Sequence, residues 1–289
     1  MFTNIKSFYI IGIGGISLSA IALLLKDKGY KIYGSDEVNS KLIKNLKSEK
    51  IEVKIGNAPY FVYKCDAIIV TGAIPENNSD VVLARALNKK IFSRAEVLGE
   101  IANDKKLISV AGSHGKTTAT GMISSVLLEA ELSPTIHIGG ILNNINSNLQ
   151  IGKSDYFITE ACEYKDSFLE LNSLISVVLN VQEDHLDYFK NLDNIFKSFN
   201  KFIQNTKENG IIIYNYDEKD ERLQIPSNAI SFGFNDGADV QGKNILEYQN
   251  GKYCFDLYYK NNFLCNIKLP CFGRHNIYNT LASAGVAIF

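Results

Sequence analysis

The sequence predicts two successive α/β units, each a parallel sheet covered by helices. Three observations predict this. Short β-rich apolar runs alternate with longer helical stretches along most of the chain. The alternation pauses at a polar stretch, Asn103-Asp104-Lys105-Lys106, and then restarts. Each run of alternation also opens with the same order of strand, glycine-rich turn and helix. A chain of 289 residues is long enough for two domains of ordinary size, placed at 1–104 and 105–289.

In the first unit the strand candidates are Phe8–Ile11, Lys31–Ser35, Ile51–Ile55 and Ala67–Thr71, with helices at Ser40–Ser48 and Ser79–Leu87. Phe8–Leu25 is nearly all apolar and follows Lys6, so it has the outline of an export signal. Gly12, Gly14 and Gly15 interrupt that run, and a second strand follows it directly. Strand, glycine turn and helix is therefore the better reading, which also removes a membrane-spanning helix. In the second unit Leu107–Ala111 leads through a glycine loop into a helix from about Lys116 to Glu131. Tyr156–Glu160, Ile175–Val181 and Gly210–Tyr214 are further strands, and Leu192–Asn205 is a helix. Asn244–Leu257 and Phe263–Leu269 read as β, with a polar turn at Gln249-Asn250-Gly251. His275–Phe289 has helical spacing and stops on apolar residues without a cap, which predicts the front portion of a longer protein.

Composition excludes several classes. Thirty Lys+Arg against 31 Asp+Glu give a net charge of −1, leaving no basic excess for a nucleic-acid backbone. The five cysteines form no CxxC pair and have no histidine at ligand spacing, which argues against a disulfide framework or a zinc site and for reduced thiols in a cytoplasmic protein.

The sharpest motif is Ala111-Gly112-Ser113-His114-Gly115-Lys116-Thr117-Thr118, between a strand and a helix. It is a phosphate loop in which Val110 replaces the first glycine of GxxxxGK[ST]. Small residues let backbone N–H groups turn toward phosphate oxygens, and the helix N-terminus adds its positive end. Lys116 suits β- and γ-phosphate charge and the Thr117 hydroxyl suits Mg²⁺, so the motif points to a nucleoside triphosphate. Glu160 ends one later strand, with Glu163 shortly after, and His185 follows another. Strand ends converge in an open parallel sheet, so Lys116, Glu160 and His185 are expected to meet, with Mg²⁺ as the ion that such groups could hold. Taken singly, each is also readable as a solvated loop residue.

Gly12-Ile13-Gly14-Gly15-Ile16-Ser17 departs from G-x-G-x-x-G at Ser17, and Asp36 ends the next strand about 20 residues on, where it can accept a ribose hydroxyl. The pattern says diphosphate at a Rossmann-like helix N-terminus, with NAD, FAD and UDP-sugar all open. Gly273-Arg274-His275-Asn276-Ile277-Tyr278-Asn279 opens the last helix, either as a simple cap or as a turn that meets a base or a phosphate.

Together, GIGGISLSAIA with Gly-Ser-Asp at 34–36, Ser93-Arg94-Ala95-Glu96, AGSHGKTTAT, ITEACEYKDSFL, LNVQEDHLDYF and GRHNIYNTLA resemble the Mur ligases, in family order and in a clostridial-like form. The resemblance implies a Rossmann-like UDP-sugar domain followed by a P-loop-type Mur ligase central domain. It implies ATP-dependent joining of L-alanine to the lactyl carboxylate of UDP-N-acetylmuramate through an acyl phosphate, in peptidoglycan precursor synthesis. It carries Gly12, Gly14, Gly15, Ile16 and Ser17 to the diphosphate and Asp36 to the uridine, with Thr71 and Arg94 as weaker substrate contacts. It carries Gly112, Ser113, His114, Gly115, Lys116, Thr117 and Thr118 to ATP, together with His275, Asn276 and Asn279. Thr117, Glu160 and His185 are the implied Mg²⁺ ligands, and Lys116, Glu160 and His185 the implied catalytic set. Cys162 stands where many relatives carry an acid and receives no role. The family's third domain, which completes the ATP and amino-acid sites, is absent from these 289 residues, so little or no activity is expected from this chain alone. Three other readings remain: a sister ligase such as a murein tripeptide ligase, a non-catalytic UDP-sugar and ATP-binding module, and an NAD-dependent oxidoreductase, which leaves the phosphate loop without a purpose.

Overall fold

A computed structural model describes residues 2–289, which divide into two compact units between Asp104 and Lys105. The first is built from β1 (Ser7–Ile11), α1 (Ile16–Asp27), β2 (Lys31–Asp36), α2 (Lys41–Ser48), β3 (Glu52–Ile55), α3 (Pro59–Lys64), β4 (Ala67–Val70), α4 (Ser79–Ala86), β5 (Lys90–Ser93) and α5 (Arg94–Ala102). Its sheet is parallel, in the order β3-β2-β1-β4-β5. All five residues of β1 are buried, as a central strand covered on both faces requires. The strand order reverses direction at β1, which puts the glycine turn after β1 where ligands enter such sheets.

Three elements and a fourth feature were not legible in this unit. β5 is four residues opened by Lys90, too short to show a period, and α3 is a single Pro-initiated run. α5 is set by a capping box: Ser93 Oγ accepts from Glu96 N at 3.1 Å, and Glu96 Oε2 accepts from Ser93 N at 2.6 Å. The fourth, a buried polar network, holds the sheet to α4. Tyr9 Oη donates to Asp80 Oδ2 at 2.6 Å, Ala58 N donates to the same oxygen at 2.8 Å, and Ser35 Oγ lies 2.5 Å from Tyr9 Oη. Burial, then the bond to Asp80, raises the Tyr9 phenol above its ordinary range.

The second unit runs β6 (Lys106–Ala111), α6 (Lys116–Glu129), β7 (Thr135–Leu142), β8 (Ser147–Gln150), β9 (Tyr156–Glu160), a 3-10 segment (Tyr164–Glu170), β10 (Ile175–Val178), α7 (Leu186–Phe189), α8 (Leu192–Gln204), β11 (Ile211–Asn215), β12 (Ile230–Gly233), β13 (Val240–Gln249), β14 (Lys252–Tyr259), β15 (Asn262–Phe272) and α9 (His275–Ile288). One ten-stranded sheet has the order β15-β14-β13-β12-β11-β10-β6-β9-β7-β8. Strands β7 to β13 that flank β6 run parallel to their neighbours except at β7–β8, and β13-β14-β15 is an antiparallel meander. The predicted β region 244–257 is two strands, β13 and β14, folded back at the predicted turn Gln249-Asn250-Gly251, where the φ of +75° at Gly251 suits glycine. The predicted strand 175–181 ends at Val178, and residues 179–185 leave the sheet. β7, β8 and β12 were missed, β8 because Ser147-Asn148-Leu149-Gln150 carries almost no apolar signal.

β6 lies between β9 and β10, so the loops after all three strands share one end of the sheet. α8 presents Ile195, Phe196, Phe199, Phe202 and Ile203 as one apolar stripe, started by Asn191, whose side chain accepts from Asn194 N. Phe168 stacks on Phe202 at 4.8 Å and meets Phe199 edge-on at 5.3 Å, which anchors the 3-10 segment that follows Glu163. Among the described residues no helix is long and apolar enough to cross a membrane.

The five cysteines are all free thiols. Cys65 is buried, and that burial pushes its thiol up to about 12, whereas Cys265 is exposed. In the native protein, Ellman's reagent is expected to modify Cys265 promptly and Cys65 only after unfolding. Equal rates at the two sites would contradict the burial of Cys65.

Candidate nucleotide sites

The phosphate loop needs glycine at two positions. Gly112 has φ +148°, and a Cβ there would lie 3.0 Å from Leu179 Cβ. Gly115 has φ +85°, and a Cβ there would lie 2.8 Å from Asn279 Oδ1. Gly115 is also the N-cap of α6 and provides no side-chain cap, so the first-turn N–H groups of a 14-residue helix are not capped from within. Such an end attracts anions.

Residues after β10 hold the loop in shape. His114 N donates to Asn180 Oδ1 at 2.8 Å and Asn180 Nδ2 donates to His114 O at 3.0 Å, so one amide side chain pairs with a backbone residue through both its groups. Ser113 Oγ accepts from Gln182 N at 2.9 Å and donates to Gln182 O at 3.1 Å. Asn180 was quoted in the sequence motif but received no role there, because an asparagine after a strand reads as an ordinary turn residue.

Lys116 folds back over this loop. Its ammonium donates to Gly112 O at 2.5 Å and Ser113 O at 3.3 Å, and reaches both Glu163 oxygens at 3.0 and 3.1 Å. Glu163 is 2% exposed. His185, in the left-handed region at φ +50°, brings Nε2 to 3.9 Å from Glu163 Oε1, and its ring lies against Tyr164 at 4.6 Å, tilted by 41°. Glu163, Asp184 and His185 present ligand atoms within 4.8 Å of one another. Glu160 lies elsewhere in the arrangement: Oε1 accepts from Gly139 N at 2.7 Å, and a Cβ on the next residue, Gly140, would lie 3.1 Å from Thr117 Cγ2. The structure therefore brings Lys116 and His185 together through Glu163, whereas Glu160 meets Gly139 and Thr117 meets the neighbouring Gly140. A carboxylate-rich set with a threonine hydroxyl suits a hard divalent cation.

His275, Asn276 and Asn279 start α9, where Asn276 Nδ2 donates to Phe272 O at 2.7 Å and Asn279 Nδ2 to Asn276 Oδ1 at 3.0 Å. Both asparagines are buried, and Asn279 borders a 130 Å³ cavity behind the loop with His114, Asn180, Glu218 and His275. Burial raises the Glu218 carboxyl above its ordinary range. Tyr278 Oη donates to Asp217 Oδ2 at 3.0 Å, and burial followed by this bond raises its phenol as well.

In the first unit, Gly12 and Ile13 donate to Ser35 O at 2.8 and 3.1 Å, and Gly15 N donates to Gly12 O at 3.1 Å. Gly15 is the N-cap of α1 without a side-chain cap, and Ile16 and Ser17 form its first turn. Asp36 is tied into this loop: Oδ2 accepts from Gly14 N at 2.8 Å and Oδ1 from Val38 N at 3.0 Å. A 240 Å³ cavity opens beside Gly12, Ser35, Asp36, Asn57, Ile74 and Asn78. Arg94 reaches Ser17 Oγ at 3.4 Å, and Thr71 Oγ1 accepts from Ala73 N at 3.0 Å; neither borders that cavity.

The profile of the Mur ligase middle domain matches residues 110–287, spanning the phosphate loop, Glu163, His185 and α9. The chain belongs to the Mur ligase family. A second profile, for the Mur ligase family catalytic domain, matches residues 7–106. This Mur ligase chain is 42% identical to a protein of Clostridium acetobutylicum named UDP-N-acetylmuramate–L-alanine ligase, over 98% of this chain and 62% of that protein. It thus spans 62–63% of the length of the curated relatives it matches first. Its fold matches the crystal structure of UDP-N-acetylmuramate–alanine ligase from Thermotoga maritima with TM-score 0.84 and 25% identity, over 97% of this chain and 64% of that one. It matches a UDP-N-acetylmuramate:L-alanyl-γ-D-glutamyl-meso-diaminopimelate ligase structure from Neisseria meningitides with TM-score 0.85 and 25% identity, over 98% of this chain and 93% of that one.

Asn180→Ala removes two hydrogen bonds at about 1 kcal/mol each, so ATP affinity is expected to fall by up to about thirtyfold. Titration calorimetry with ATP and Mg²⁺ on this chain, with thermal unfolding as the folding control, measures it. Unchanged affinity in a folded variant would contradict the clamp.

Proposed function

We propose that this chain carries the two nucleotide sites of a ligase that uses ATP to join L-alanine to UDP-N-acetylmuramate in the cytoplasm. The observation that carries the reading is the phosphate loop of β6–α6, with its lysine, its uncapped helix end and the neighbouring carboxylates on one end of the sheet. Gly112, Ser113, His114, Gly115, Lys116, Thr117 and Thr118 bind the triphosphate, and His275, Asn276 and Asn279 bind on the nucleoside side. Thr117, Glu160 and His185 would hold Mg²⁺, with Glu163 and Asp184 as further carboxylates next to His185, and the ion would supply charge neutralisation at the phosphates. In the first unit, Gly12, Gly14, Gly15, Ile16 and Ser17 receive the diphosphate of the sugar nucleotide, and Asp36 shapes that turn next to the uridine. Thr71 and Arg94 sit further from the glycine turn's cavity and are the weakest members of the set.

The chemistry follows from charge. A lactyl carboxylate oxygen attacks the γ-phosphorus, the bond to the β-phosphate oxygen breaks, and ADP leaves an acyl phosphate. The alanine amine attacks the acyl carbon, phosphate departs from the tetrahedral intermediate, and the amine proton passes to solvent. The first step brings two anions together. Lys116 lowers that barrier by holding positive charge where negative charge moves, so the protein contributes position and electrostatics rather than a covalent nucleophile. A second reading, ligation of a preformed peptide to the same sugar carboxylate, is supported by the fold match to the Neisseria ligase, at TM-score 0.85 and 25% identity.

Calorimetric titration with UDP-N-acetylmuramate, with NAD⁺ in parallel, tests the first unit. Saturable binding of the sugar nucleotide alone is expected, weakened about tenfold by Asp36→Ala, which releases Gly14 N and Val38 N. Binding of NAD⁺ alone would overturn the assignment.

A further inference from the structure

All three N–H donors of Lys116 are taken, by Gly112 O, Ser113 O and the Glu163 carboxylate. A phosphate oxygen can engage this ammonium only by displacing one of them. The two carbonyls belong to the loop itself, whereas Glu163 is an anion from another element and stands in electrostatic conflict with a triphosphate. Displacing Glu163 from Lys116 alone would leave a carboxylate that is 2% exposed without a cation, beside several phosphate charges. That arrangement is costly in a poorly hydrated site. A divalent cation removes the conflict, and groups to receive one are at hand: His185 Nε2 lies 3.9 Å from Glu163 Oε1, and Asp184 completes a set within 4.8 Å.

Resting on the ATP reading of this unit, we propose that Glu163 makes nucleotide binding conditional on a divalent cation, by occupying Lys116 against metal-free ATP and turning to the cation when the two arrive together. Glu163 is then a positioning residue that selects the metal-bound form of the nucleotide. Glu160 is the natural control. Its Oε1 accepts from Gly139 N, and the carboxylate bonded to Lys116 is that of Glu163.

The test is titration of the whole chain with ATP in Mg²⁺ and with ATP in EDTA, for wild type, Glu163→Gln, Glu163→Ala and Glu160→Gln, each checked for folding by thermal unfolding. Wild type is expected to prefer ATP with Mg²⁺ by at least about tenfold. Both Glu163 variants are expected to gain about fivefold or more in affinity for ATP in EDTA, a gain that mere damage to the site does not produce. Glu160→Gln is expected to lose affinity in Mg²⁺ and gain none in EDTA. The inference is overturned if folded Glu163 variants bind metal-free ATP no better than wild type, or if Glu160→Gln gains as much, since the effect is then only a general loss of negative charge. Wild type that binds ATP in neither buffer overturns the ATP reading itself, and the inference with it.

Discussion

The second unit is organised around one ammonium group. Lys116 is shared between two carbonyls of its own loop and a buried carboxylate from the segment after β9. Everything near it is placed to make that sharing possible. Gly112 and Gly115 allow the loop to turn, Asn180 and Gln182 fix its backbone, and Phe168 pins the segment that carries Glu163 against α8. A buried ion pair of this kind contributes little net stability, because desolvation offsets most of its Coulomb attraction. Its value is geometric: it holds a cation and an anion where a charged ligand must rearrange both.

The two units use the same strand–glycine–helix arrangement with opposite electrostatics. After β6 a lysine is added to an uncapped helix N-terminus, which suits a highly charged triphosphate. After β1 a carboxylate, Asp36, takes the Gly14 N–H, so one donor of the turn is consumed internally and no lysine stands in it. That loop suits a ligand of lower charge that is gripped as much by its neutral parts, in keeping with a sugar nucleotide whose diphosphate is only one feature among several.

Much of this was legible in the sequence wherever a local pattern suffices. Glycines at required positive φ, a lysine after them and an apolar helix behind them are a short contiguous signal, and so are the buried central strands β1, β6 and β10. What was not legible depends on contacts distant in sequence. Glu160 and Glu163 are three residues apart, and only the fold shows that the second faces Lys116 while the first turns to Gly139. Asn180 and Asp80 likewise gain their roles from partners 66 and 71 residues away. Ser93 and Glu96, read only as parts of a family motif, prove to be a helix cap, with Arg94 between them reaching Ser17. Edge strands such as β8 escaped because their side chains need not be apolar.

Nucleoside triphosphate binding by the loop from Gly112 to Thr118 is open to a direct test by backbone amide NMR of this chain, titrated with ATP and Mg²⁺. Saturable shifts are expected to concentrate at residues 112–118 and extend to Glu163, Asn180, His185 and the start of α9. Saturable shifts centred elsewhere in the second unit, with the loop amides unmoved, would contradict it.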